Sequence, residues 1–199
     1  MSLLIASTKT PLLSGFKTED LQLLIDENPY LRGYIQGYLA ESVLAARLRD
    51  LPGVSSVRKI PDADKLRGDL SVSYLGVDMV IECKSLASGV VRDDLLTGGV
   101  EVSVLCKNTD RRTIVVPGVG EVQSVNLPKG QFDILAICTY PITGEWGFLF
   151  MENKYLPEAE NKPGFIKSRF IINTVSTPWL ETDVSSVLNR VAFNRGSVK

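Results

Sequence analysis

The sequence has no histidine in 199 residues. This excludes Ser-His-Asp and Cys-His catalysis, histidine-ligated zinc, haem on a proximal histidine and nucleases with a histidine base. Cysteine is scarce. Cys83, Cys106 and Cys138 form no C-x-x-C pair, and three thiols cannot close a disulfide framework. Each lies in an apolar run, so they read as reduced core thiols of a cytoplasmic protein. No stretch of 18 apolar residues occurs, so no transmembrane helix is expected. The opening MSLLIASTKTPLLSG lacks a basic n-region and a long apolar segment, so no secretory signal is expected. Glycine-rich phosphate loops are lacking too. Neither sign of charge dominates: 22 Lys+Arg against 23 Asp+Glu give a net charge of −1. That balance neither demands nor forbids a nucleic-acid partner, because a local basic patch suffices. Hydrolytic chemistry here must rest on carboxylates, lysine, hydroxyls or a metal held by oxygen.

What is present is globular. Hydrophobic residues make up 44% and charged residues 23% of the chain, enough for a core in a single domain spanning 1–199. Thr18-Glu19-Asp20 signals a helix start. Asn28-Pro29 resets the chain and opens a second helix that runs to about Asp50. Val54 to Ile60 reads as a short strand. Residues 98–127 hold further strands, with Arg111-Arg112 in a turn between two of them. Phe132 to Tyr140 is apolar on both faces, as a central strand requires. Trp146 to Met151 and Phe170 to Val175 read as strands and 153–169 as a long loop. Asp183 to Phe193 reads as an amphipathic closing helix.

Between Asp69 and Leu86 the period changes to 2. The runs DLSVSY and VDMVIECK flank Leu75-Gly76, which predicts a hairpin. With a two-residue turn there, Tyr74 faces Val77 and Asp69 faces Glu82. Facing side chains share one side of the sheet, and Lys84 points the same way two residues on. One face carries Leu70, Val72, Tyr74, Val77, Met79, Ile81 and Cys83 and reads as core. The other carries Asp69, Ser71, Ser73, Asp78, Val80, Glu82 and Lys84. Two carboxylates and an amine at one hairpin end suit a hard divalent cation, which relieves their repulsion and neutralises charge on a phosphate. A solvated face with a cross-strand salt bridge is the plain alternative.

Asp69, a 12-residue gap, then Glu82-Cys83-Lys84 on a strand pair resembles the PD-(D/E)xK nuclease superfamily, which includes many type II restriction endonucleases. The resemblance covers about residues 30–140, and Gly68 stands where the family name has Pro. It implies an α/β fold with a restriction-endonuclease-like core, a central mixed β-sheet flanked by helices. It further implies a Mg²⁺-dependent deoxyribonuclease, with Mn²⁺ as a possible substitute, that cuts DNA in the restriction manner as a homodimer with no membrane partner. Asp69 and Glu82 become metal ligands and Lys84 the catalytic lysine. Glu41, on the flank of an apolar helical stripe, becomes a third acidic ligand. A nuclease-like subunit that binds DNA or has a structural role without cutting is the alternative.

Glu-x-Lys recurs at Glu152–Lys154 and Glu160–Lys162. A turn at Pro141 to Gly144 would set Asp133 opposite Glu152, a rival to the first hairpin, but both faces of that pair are mostly apolar. Lys65 and Arg67 before Asp69, and Lys107, Arg111 and Arg112 at a hairpin tip, are candidates for DNA backbone contact. Gln131 lies just before the apolar strand. Tyr34 and Tyr38 read as helix core in preference to base-stacking platforms.

Overall fold

A computed structural model describes residues 15, 17–62, 68–94, 96, 98–116 and 120–196. In chain order the elements are α1 (Thr18–Glu27), α2 (Pro29–Arg49), β1 (Val54–Lys59), β2 (Leu70–Tyr74), β3 (Val77–Asp94), β4 (Gly99–Leu105), β5 (Lys107–Val116), β6 (Gly120–Asn126), β7 (Ile134–Cys138), α3 (Tyr140–Thr143), β8 (Phe148–Glu152), β9 (Glu158–Ala159), β10 (Lys162–Ile166), β11 (Arg169–Asn173) and α4 (Val184–Gly196). The chain divides into two compact units, Met1–Gln36 and Gly37–Lys199. In the first, Asp26 pairs with Arg32 at 3.1 Å and the Asn28 side chain caps the Leu24 carbonyl at 2.7 Å, which closes α1 and turns the chain into α2.

The second unit is built on a seven-stranded mixed sheet. Its path runs β1-β2-β3-β4-β11, and β7 joins β3 on a branch that continues to β8. All of these neighbours are antiparallel except β3 and β7, which run parallel with Ile81 beside Ile134. The 18-residue β3 serves both parts of the sheet. Its first half pairs with β2 and β7, and its second half, after a register shift between Leu86 and Val91, pairs with β4. The fold is therefore α/β, with a central mixed sheet flanked by helices.

Period-2 alternation explains the two cores. On one sheet face Leu70, Val72, Met79, Ile81 and Cys83 pack with Ala40, Leu44 and Leu48 of α2 and Val187, Leu188 and Val191 of α4. On the other, Leu86, Leu135, Ile137 and Met151 pack with Val102, Val104, Phe170 and Ile172 from β4 and β11. β7 is buried at every position, as its two-sided apolar sequence demands.

Three expectations fail. Residues 153–169 are not a loop: a 3-10 turn over Asn153–Tyr155 leads into β9 and β10, held by backbone bonds from Ile166 to Leu127 and from Lys129 to Gly164. Arg111 and Arg112 do not occupy a turn or a hairpin tip. Both lie inside β5, which pairs with β6 from Arg112–Ser124 to Val116–Gly120 and, after a register shift, at Lys107–Asn126. Tyr34 and Tyr38 are both exposed and not core, because the buried stripe of α2 is Ala40, Leu44, Ala45 and Leu48.

Candidate active site

The hairpin forms in the anticipated register. Leu70 pairs with Ile81 and Tyr74 with Val77. Leu75 (φ 49°) and Gly76 (φ 78°) are both left-handed, which is what a two-residue turn matching the strand twist requires. At the other end the ladder is replaced by a side chain. The Asp69 amide donates to the Ile81 carbonyl at 3.0 Å, and the Cys83 amide donates to Asp69 Oδ2 at 2.7 Å. Asp69 is thus fixed beside the Glu82-Cys83-Lys84 stretch by one backbone bond and one bond from its own carboxylate.

Gly68 gives the departure from proline a physical reason. Its φ is +86°, which the pyrrolidine ring cannot adopt. A Cβ there would lie 2.8 Å from Val80 Cγ1, 3.2 Å from the Ile81 carbonyl oxygen and 3.4 Å from Glu82 Oε2. The backbone at 68 therefore passes directly over β3 and against the Glu82 carboxylate.

Glu82 shares its sheet face with the second core, because its neighbours in register are Leu135 and, two residues on, Ile137 beside Lys84. This corrects the expectation of an open polar face: Glu82 is only 4% exposed. Lys84 Nζ lies 2.5 Å from Glu82 Oε1. Burial acts to lower the Lys84 pKa, but the charges of Glu82 and Asp69 and the bond to Glu82 outweigh it, so the ammonium is held more firmly than usual. A buried pair of this kind costs desolvation that its mutual attraction repays poorly, so it is weak evidence for a purely stabilising role.

Glu41 lies on the α2 side of the sheet. Lys59, two residues beyond the core residue Val57 on β1, points to that side and meets Glu41 Oε2 at 2.8 Å, without good hydrogen-bond alignment. Burial raises the Glu41 pKa, the Lys59 contact opposes it, and the Asp69 charge raises it further. Asp69 is therefore in electrostatic reach of Glu41 and of Lys84. Lys59 is also 3.6 Å from Asp62 and lies 4.1 Å from the Tyr38 ring centroid, and Tyr38 donates to Asp62 at 2.8 Å. Sequence reasoning missed Lys59 and Asp62. The available signal was strand parity, since Lys59 shares the face of Val57.

The rival constellation is neutralised. Ile134, and not Asp133, stands opposite Glu152, one residue off the anticipated register, and Asp133 bonds to Val80 of β3 through both its amide and its carboxylate. Asp133 and Glu152 line a cleft of about 730 Å³. Arginines from α4 take both carboxylates: Arg195 pairs with Asp133, and Arg190 meets Glu152 at 3.0 Å, joined there by Lys154 at 2.7 Å. These are structural pairs that fasten α4 to the sheet.

The other predicted residues are dispersed. Lys65 and Arg67 lie outside the described residues. Arg111 is exposed on β5. Gln131, three residues before Ile134, lies toward the Asp78 end of β3, and its Oε1 is buried without a hydrogen-bond partner. All three thiols are free and buried. Burial pushes Cys106 up to about 12, and Cys83 also rises, so neither supplies a thiolate nucleophile at neutral pH.

Asp69 and Glu82 offer oxygen donors, and the nearby Lys84 a fixed positive charge. Such a set suits a hard divalent cation, which takes one or two protein carboxylates and completes its shell with water and phosphate. Among the described residues no group of three or more His, Cys, Asp or Glu side chains converges to hold a metal ion, so Glu41 does not complete a three-carboxylate cage. No helix among the described residues is long and apolar enough to cross a membrane.

No protein-family model matches the chain, and no curated protein matches it. Among solved structures, a bacterial homing endonuclease, I-Ssp6803I, overlaps 83% of this chain and 96% of that chain, with 18% identity and a TM-score of 0.44. At that level of overlap no residue role transfers.

Proposed function

We propose that the chain is a metal-dependent endonuclease that hydrolyses phosphodiester bonds of DNA. The observation that carries this reading is the Asp69 carboxylate, locked by the Cys83 amide beside the buried Glu82–Lys84 pair. Asp69 and Glu82 would hold Mg²⁺, or Mn²⁺ in its place. That cation supplies charge neutralisation at the phosphate and a more acidic bound water.

The protein's own groups have distinct tasks. Gly68, lacking a Cβ, lets the backbone pass close to the Glu82 carboxylate, and the Cys83 amide sets the Asp69 carboxylate. Lys84 stays protonated, so it acts as a cation that holds a phosphate oxygen and orients the attacking water, and not as a base. Water attacks phosphorus, the bond to one sugar oxygen breaks, and that oxygen leaves with a proton. Glu41, on the α2 face of the sheet, acts on the site only through its charge on Asp69. Restriction-type cutting by paired copies, one site per strand, is the finer form of this reading and follows the resemblance.

A second reading, a nuclease-like DNA-binding subunit that does not cut, is favoured by one observation. The carboxylates do not converge as a three-member cage among the described residues. Supercoiled plasmid incubated with the protein in Mg²⁺, Mn²⁺ or EDTA separates the two. Nicked or linear product in either metal but not in EDTA is the expected result. Plasmid retarded on a gel yet uncut in both metals favours the second reading.

A further inference from the structure

The first compact unit, Met1–Gln36, has no core of its own among its described residues. α1 buries no residue, and the buried residues of α2, Ala40, Leu44, Ala45 and Leu48, all lie beyond Gln36. Yet the unit is rich in large apolar side chains. Tyr30 is 89% exposed, Leu23 58%, Tyr34 57% and Leu24 43%. A helix of ten residues such as α1 is marginal in water alone and draws its stability from packing an apolar face. The described residues of one copy leave these four side chains largely open.

Tyr30, Gly33 and Tyr34 share one face of α2, since residues three and four apart are neighbours on a helix. Both tyrosines stand up from it. Gly33 is a hollow beside them: a Cβ there would meet nothing within 4 Å. Glycine inside a helix weakens it relative to alanine, and no contact of one copy requires it here. A second helix passing close by does. A projecting ring and an open glycine on one face are what a two-fold contact needs, because each copy must offer both halves. Charge points to the same occupant. α1 carries Glu19, Asp20, Asp26 and Glu27, so this unit repels a nucleic acid or an anionic lipid surface. From Pro29 to Gln36 the only charged residue is Arg32. It lies off the tyrosine face, and Asp26 of the same copy takes it at 3.1 Å. Two copies therefore meet across that face without setting like charges together. The four exposed side chains leave on the order of 500 Å² open, at ~200 Å² for a whole large side chain. A homodimer interface of about 800 Å² per copy, about 65% of it apolar, needs as much.

We infer that a second copy of this chain packs on this face, with Tyr30 of each copy seated on Gly33 of the other and Tyr34 beside it. Leu23 and Leu24 of α1 supply the rest of the apolar area. The inference stands apart from the nuclease reading: it concerns how two copies meet, and it holds whether or not DNA is cut.

The test is sedimentation velocity of the full chain, without DNA or metal, from the micromolar range upward. The proteins are wild type, Gly33→Leu and the double variant Tyr30→Ala/Tyr34→Ala, with circular dichroism to show that each is folded. Wild type is expected to form a dimer. Each variant should dissociate at a concentration roughly tenfold higher or more, the effect of losing central anchors. Leucine is a better helix former than glycine, so Gly33→Leu weakens association only if the hollow is occupied. A Gly33→Leu dimer as tight as wild type, or tighter, overturns the inference. So does a wild type that stays monomeric, or an assembly of any size that the tyrosine variant leaves intact. The contact is apolar and α1 is acidic, so the dimer should hold or tighten as salt is raised. Association that weakens steeply with salt means a charge-driven contact and also overturns it. None of these outcomes bears on the nuclease reading, which the plasmid assay tests alone.

Discussion

The Cys83 amide donates to Asp69 Oδ2 at 2.7 Å, so the acidic residue is positioned by the strand that carries Glu82 and Lys84. The bond ties the site to the fold. Asp69→Ala leaves an amide at a buried residue without its acceptor and should cost about 1–2 kcal/mol. Asp69→Asn keeps an acceptor oxygen and should cost less than about 1 kcal/mol. Urea unfolding in EDTA measures both. An Ala variant as stable as the Asn variant would show that the amide has found another partner.

Gly68 is the second local constraint. Gly68→Ala adds a left-handed strain of about 1–2 kcal/mol and a methyl 2.8 Å from Val80 Cγ1. The expected total is about 2–3 kcal/mol. The same methyl would sit 3.4 Å from Glu82 Oε2, so cleavage should fall even where the variant is fully folded. Denaturation midpoints and cleavage rates on one preparation check the pair of effects. A variant of wild-type stability would contradict the close approach.

Glu41 gives a pH signature. Burial, with help from Asp69 and against the Lys59 contact, raises its folded-state pKa. A raised carboxyl pKa means the folded state binds its proton more tightly than the unfolded chain. Its cost is absent below the ordinary glutamate range near ~4.3. It grows as pH rises through the shifted value and is constant above it. Glu41→Gln should therefore gain stability relative to wild type between pH 4 and pH 7, and melting in EDTA across that range is the check. A wild type that gains on the variant as pH rises would mean that the Lys59 pair outweighs burial.

Arg190 concerns Glu152, the carboxylate held by α4. Glu152 is 3% exposed and held by Arg190 and Lys154. Breaking a fully buried pair costs about 3–5 kcal/mol. Lys154 remains in Arg190→Ala, so about 2–3 kcal/mol is expected. Unfolding measured beside a matched surface variant, Lys167→Ala, tests this. A loss below about 0.5 kcal/mol would remove the structural role assigned to Glu152.

The hairpin was legible because its alternation about Leu75-Gly76 fixes register, and a two-residue turn leaves one way to pair. Asp69, Glu82 and Lys84 came with it. The rival pair misled by one residue because Pro141–Gly144 became a helical turn, and counting from a hairpin turn then misses the register. Arg111 and Arg112 were misplaced because a polar, two-stranded ribbon lacks the apolar alternation that marks a half-buried strand. The 153–169 segment is polar and reads as loop, yet Lys129 fastens it by donating to the carbonyls of Asn153, Lys154 and Leu156, a contact no local pattern announces. Burial of Glu82 was also illegible, since the second core gathers residues from β4, β7, β8 and β11, which no local pattern joins.

On the proposed reading Glu82 belongs to the site and Glu152 to the scaffold. Single-turnover cleavage of one plasmid in Mg²⁺ by wild type, Glu82→Ala and Glu152→Gln tests it most directly, with circular dichroism to confirm that each protein is folded. Glu82→Ala should lose cleavage by a factor on the order of 10³, the scale of a lost transition-state charge contact, while folded Glu152→Gln should cut within a few-fold of wild type. Cleavage by Glu82→Ala at the wild-type rate, with Glu152→Gln inactive though folded, would contradict it.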